Sequence, residues 1–155
     1  VNVFSDLQES IIARLIAPDQ KVPSLTPHAG QVKWVSEDIG DLANVVLRAT
    51  GKVGIIGIVV TPGGGKLYKM GIFPISFRCP IEIQIQENVT VNRGDAGTQI
   101  SALDLVQFCM LRLHLWSPTN QRITNIEADE TPFALVSDTP LLVYNVRFNA
   151  KLTVA

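Results

Sequence analysis

The chain has 155 residues, 46% of them hydrophobic and 17% charged, with a formal charge of −1 at pH 7. That length suits one domain spanning residues 1–155, able to bury roughly 70% of the surface of its unfolded form. The balance of charge lacks the basic excess with which a general nucleic-acid binder neutralises phosphates.

No run approaches the roughly 18 apolar residues of a membrane span. The longest, Val53 to Val60, is interrupted by Gly54 and Gly57. Val1-Asn2-Val3-Phe4-Ser5 has no basic stretch ahead of an apolar one, so it does not read as a secretory signal. A soluble protein without a membrane partner is expected. Cys79 and Cys109 have no His at ligand spacing, which favours buried free thiols over a disulfide or a zinc site.

Ser5-Asp6-Leu7-Gln8 has the form of a capping box, predicting a helix that carries Leu7, Ile11 and Leu15 on one face and stops before Pro18. Residues 18–33 contain Pro18, Pro23 and Pro27 and predict an extended connection. Ile39, Leu42, Val45 and Val46 recur at helical spacing, so a short helix is expected from Asp38 to Ala49, with Gly51 just past its end. Lys52 to Thr61 is continuously apolar and β-branched, the pattern of a strand covered on both faces. Three glycines then force a turn at residues 61–66, and Leu67 to Arg78 reads as a strand interrupted at Gly71 and Pro74.

From Ile81 the odd positions Ile81, Ile83, Ile85, Val89 and Val91 are apolar, while Glu82, Gln84, Gln86 and Asn88 are polar. Eleven residues of strand would reach about 36 Å, long for a small domain. Leu142 to Val154 alternates in the same way, predicting a second long strand with one buried and one wet face. Residues 117–140 read as loop, with short pairing near Ile123–Ile126 and Phe133–Val136.

Between them lies a helix from Ser101 to Trp116. At 100° per residue, Ala102, Val106, Cys109, Met110, Leu113 and Trp116 form a core stripe. Phe108, Leu111 and Leu115 fall on the other side, among Asp104, Gln107 and His114. Two covers fit that second apolar side: another element of this chain, such as the first helix, or a neighbouring subunit.

No catalytic constellation is legible. Thr61-Pro62-Gly63-Gly64-Gly65-Lys66-Leu67 lacks the first Gly and the hydroxyl residue of a phosphate-binding loop. His28 and His114 have no Ser, Cys or carboxylate at a recognisable spacing, and helix caps and solvated loops account for the scattered carboxylates. The reading is a non-enzyme with no catalytic, cofactor or metal site. Arg93, after the long strand, fits either a solvated strand end or an anion or ion-pair contact.

The order of parts resembles the tail-terminator or tail-completion proteins of long-tailed bacteriophages, also described as minor tail or neck proteins. The resemblance covers most of the chain. It rests on the early helix Ser5–Leu15, on Ile85-Gln86-Glu87-Asn88-Val89-Thr90-Val91-Asn92-Arg93, and on the following helix with Ala102-Leu103-Asp104 and Leu113-His114-Leu115-Trp116. It implies an α+β subunit, a mainly antiparallel sheet with two or three helices packed on one face. It further implies a homo-oligomeric ring, commonly a hexamer, in the tail-neck region of a virion assembled in the host bacterial cytoplasm. Such a ring caps the tail tube, meets neck or head-completion proteins, and lets DNA pass through its lumen without specific binding. On this resemblance Lys66, Lys69 and Arg93 are expected at inter-subunit or tail-facing contacts, joined by Phe108, Leu111 and Leu115. A head-completion adaptor or tail-tube subunit is the neighbouring alternative. A module binding a small ligand or peptide on the polar sheet face or the Gly-rich tip is the alternative of another class.

Overall fold

In the computed structural model the described residues are 2–17, 23–37, 42, 46, 49, 53–62, 64–67, 75–93 and 100–154. The fold is α+β, as expected. Six strands form one mixed, mostly antiparallel sheet: β1 (Val32–Ser36), β2 (Ile55–Val60), β3 (Lys66–Leu67), β4 (Ile75–Glu87), β5 (Ile123–Ser137) and β6 (Leu142–Val154). Their order is β1-β2-β4-β6-β5, with β3 pairing a separate stretch of β4. The helices are α1 (Val3–Ile16), the single-turn α2 (Val89–Arg93) and α3 (Ala102–Leu113), with a 3-10 turn at Pro23–Leu25.

α1 begins earlier than its sequence suggests. Asn2, not Ser5, is the N-cap, and its Oδ1 accepts the Ser5 N–H at 2.8 Å. The extra turn places Val3 on the same buried face as Leu7, Ile11 and Leu15. Ser5 becomes a buried residue of the first turn. α3 does start at a capping box. Ser101 Oγ accepts the Asp104 N–H at 3.1 Å, and Asp104 Oδ2 accepts the Ser101 N–H at 2.9 Å.

The two long strands set the scale of the sheet. β4 and β6 pair over their whole length, from Ile75↔Val154 to Glu87↔Leu142. Cys79, Ile81, Ile83 and Ile85 on β4 and Val146, Phe148, Ala150 and Leu152 on β6 turn to the side covered by α1 and α3. Pro80 sits inside β4 without breaking it. It lies between the stretch paired with β3, which ends at Arg78, and the stretch paired with β2, which begins at Glu82. A missing N–H is tolerated where a ladder has a gap. Gly71 and Pro74, the expected interruption, lie outside the described residues.

The strand predicted to run to Val91 stops at Glu87. Asn88 accepts the Asn92 N–H on its carbonyl at 2.9 Å and the Val91 N–H on its side chain at 3.4 Å, which winds α2. Val89 and Val91 are therefore exposed helix residues and not core residues of a strand.

The loop-rich stretch after α3 pairs at both expected places, near Ile123 and near Phe133, but they belong to one long edge strand, β5. Three register shifts, between Thr124 and Glu127, Ala128 and Phe133, and Leu135 and Ser137, break its alternation. Asn125 takes φ 54°, a left-handed conformation that Asn tolerates. Pro132 falls within the second irregularity, on an edge strand where its lack of a donor does least harm.

β1 and β2 are parallel, and a parallel pair needs a crossover. Of the predicted helix 38–49 in that crossover, Leu42, Val46 and Ala49 are described and helical. They pack on Val35, Ile56 and Ile58, so β2 is covered on both faces as its sequence requires. Helical cover is thus not confined to one face.

One buried polar knot ties the end of the sheet. Asn92 Nδ2 donates to Glu87 Oε2 at 2.5 Å and to the Ile100 carbonyl at 2.8 Å. Gln31 Nε2 donates to Asn92 Oδ1 and to the same carbonyl, both at 2.9 Å. The Asn88 N–H reaches the Gly54 carbonyl at 3.0 Å. A Cβ on Gly54 would run into the Asn92 side chain, so this glycine is needed for close approach. Gly54→Ala should lower stability by about 1–3 kcal/mol, since a packed site must shift to admit a methyl group. Urea unfolding checks this; an unchanged midpoint would show that Asn92 can move aside freely.

Candidate functional site

The helical layer is locked by two arginines that cap each other's helix. Arg112 Nη2 donates to the Arg14 carbonyl at 2.6 Å and the Ala17 carbonyl at 3.1 Å, at the C-terminus of α1. Arg14 Nε returns a bond to the Arg112 carbonyl at 3.2 Å, near the C-terminus of α3. Each guanidinium sits where helix carbonyls lack partners and the dipole favours positive charge. Arg14 also lies over the Trp116 ring, 5.3 Å from its centroid. Arg112 is buried.

This crossing decides the second apolar side of α3. Phe108 is fully buried in this chain's own core, together with Leu7, Ile11 and Leu15 of α1. It is therefore removed from the exposed group and faces core, not solvent. Leu111 and Leu115 are 54% and 71% exposed, and Leu103 shares the open side of the helix. Leu115 lies just beyond α3 at φ 62°, held by its N–H to the Ile126 carbonyl at 2.7 Å. His114 Nδ1 beside it accepts the Ala128 N–H at 2.9 Å.

A second apolar surface was not legible as one. On β5, Phe133, Leu135 and Val136 are all exposed. Phe133 pairs with Val146 and Leu135 with Tyr144, which puts both on the helix side of the sheet. At the opposite edge, β1 borders an open groove of about 330 Å³ whose lining includes Ile16, Pro27, His28, Val32, Lys33 and Trp34. Trp34 pairs with Gly57 across β1 and β2, and its ring occupies the space a Cβ there would need.

The remaining sheet face is polar. Arg147 pairs with Glu82 at 3.5 Å, and Asp129 accepts from Asn149 at 2.9 Å and lies 3.6 Å from Arg78. The expected basic contacts do not come together as one site. Lys66 belongs to β3 and pairs with Arg78 through the backbone. Arg93 ends α2, and the side chains of both residues lie outside the description. Lys69 lies wholly outside it. The start of the Gly-rich turn is tied down by Glu37, whose Oε1 accepts from the Thr61 N–H at 2.9 Å, the Thr61 hydroxyl at 2.5 Å and Gln8 Nε2 at 2.6 Å. Among the described residues no three His, Cys, Asp or Glu side chains are grouped to hold a metal ion. No described helix is long and apolar enough to cross a membrane.

With this geometry in view, the fold is similar over its whole length to a solved chain. A chain in the structure of the virion of a native gene transfer agent particle superposes with a TM-score of 0.59. The match covers 99% of this chain and 100% of that one at 11% identity. No protein-family model matches the sequence. No curated protein matches it either. The correspondence is one of fold.

Both thiols are buried and unpaired with each other. Burial, and secondarily the Glu37 carboxylate, pushes the ionisation of Cys79 up from 9.0 to about 11. Burial alone pushes Cys109 further up. Folding therefore holds both thiols neutral where the unfolded chain would ionise them. This contribution to stability is complete below pH 9.0 and is lost as pH rises toward about 11 for Cys79. Unfolding measured from about pH 8 to about pH 10.5 should show a steeper alkaline loss in the wild type than in Cys79→Ala/Cys109→Ala. Equal slopes would mean that the thiols titrate as readily folded as unfolded.

Proposed function

We propose that this chain is a structural virion protein, a tail terminator that forms a ring, commonly six-fold, on the end of the tail tube. In this role it joins the tube to neck or head-completion proteins and lets DNA pass through its lumen. The observation that carries the reading is the end-to-end fold correspondence with a chain of a gene transfer agent virion. The phage-tail resemblance of the sequence supplies the finer role, and the exposed apolar groups on α3 and β5 supply surfaces for assembly.

Leu111 and Leu115 of α3, with Lys66, Lys69 and Arg93, are the proposed contacts to neighbouring subunits or to the tail. A formal charge of −1 suits a channel along which DNA must slide without being gripped.

Particles assembled without this protein provide the test, examined by electron microscopy. Tails of irregular or excessive length are the expected result. Tails of normal length that never acquire heads would move the role from termination to joining. Purified protein that stacks into open filaments would instead make it a tube subunit. Normal, infectious particles that contain none of the protein would sink the virion reading altogether.

A further inference from the structure

We infer that successive copies of this chain join edge to edge, with the Phe133–Ser137 end of β5 in one copy seated against β1 and its groove in the next. The inference rests on the ring reading above and specifies its lateral contact. Both outer strands lack a further strand among the described residues, so each presents unused backbone donors and acceptors. The lengths agree: β1 is the five-residue strand Val32–Ser36, and Phe133–Ser137 is also five residues.

The side chains agree as well. Phe133 and Leu135 lie on the helix side of β5, the side on which Val32 and Trp34 border the groove with Ile16. Docking would cover apolar groups on both edges at once, which scattered exposed residues would not achieve. Charge points the same way. The docked segment and the residue after it, 133–138, carry Asp138 and no Lys or Arg. The described lining of the groove contains Lys33 and His28 and no carboxylate.

Register makes the contact suit a ring. Leu135 pairs with Tyr144, Tyr144 with Ile85, Ile85 with Gly57, and Gly57 with Trp34, so one row crosses the sheet from edge to edge. Ser137, Val143, Gln86, Ile56 and Lys33 form the next row. Contact between the ends of a row adds copies sideways without advancing them along the strands. A heterologous contact of that kind closes into a ring when its rotation permits, whereas one with a rise gives a filament.

The full chain at high concentration tests this by sedimentation velocity and negative-stain microscopy. Leu135→Asp, at an exposed position, should raise the concentration needed for assembly by roughly tenfold or more with an unchanged melting temperature. Lys33→Glu should weaken assembly, and adding Asp138→Lys, beside Ser137 in the same row, should restore it. On oxidation, Lys33→Cys/Ser137→Cys should give a ladder of linked subunits, while either single variant should stop at the dimer. Wild-type rings that survive Leu135→Asp unchanged, with no ladder from the double-cysteine chain, would overturn the edge contact and leave the ring reading standing. A wild type that forms no rings at any concentration, with no ladder from the double-cysteine chain, would overturn both.

Discussion

The ladder between β4 and β6 is the constraint on which the other elements depend. It is unbroken from Ile75↔Val154 to Glu87↔Leu142, so its register assigns every side chain of both strands to a face. One face presents only apolar groups, from Cys79 through Ile85 and from Val146 through Leu152, and α1 and α3 must cover it. A slip of one residue would turn Glu82, Gln84, Arg147 and Asn149 into the core. The alternation of the two sequences forbids that slip more strongly than any single bond could.

The ends of this frame are fixed by polar groups. At Glu87 the apolar face of β4 accepts a carboxyl group, and Asn92, Gln31 and the Ile100 carbonyl close around it. The knot joins the start of β1, the end of β4, α2 and the entry to α3, elements far apart in sequence. Leaving one member unpaired would cost about 1–3 kcal/mol, so the knot selects one arrangement of those elements over looser ones. The reciprocal Arg14 and Arg112 caps do the same for the crossing of α1 and α3. Together they make the helical layer an inseparable part of the sheet, and Phe108 is buried as a consequence.

Local pattern made much of this legible. β6 and the shared face of Leu7, Ile11 and Leu15 follow from periodicity. Only two fragments of β5 were legible, because period-two alternation is its only local signal, and three register shifts with a left-handed Asn125 interrupt it. The knot left one trace. Position 87 belongs to the apolar series 81, 83, 85 yet carries Glu, and a polar residue on a core face calls for a buried partner. Its partner is Asn92, and Gln31, which completes the knot, lies 61 residues from Asn92 with no local pattern to connect the two. Arg112 is the same case, because its partners are carbonyls of another helix, which sequence does not display. The edge surfaces were invisible for a related reason: pairing defines an edge, and pairing is non-local.

These non-local features also relocate the surplus of apolar surface. The helix that looked overfull of hydrophobic groups puts Phe108 into its own core and leaves Leu103, Leu111 and Leu115 outward. A second uncovered strip lies on β5. An exposed edge bearing Phe133, Leu135 and Val136 is an aggregation hazard if any chain can pair with it. Covering it with a short, shaped partner edge removes the hazard by making the pairing selective. On the ring reading that partner is β1 of an identical copy, since each copy then buries its liability and supplies the neighbour's cover. Leu111 and Leu115 would remain outside that lateral contact, on the helical layer, where a ring still has a surface to offer the tube or the neck.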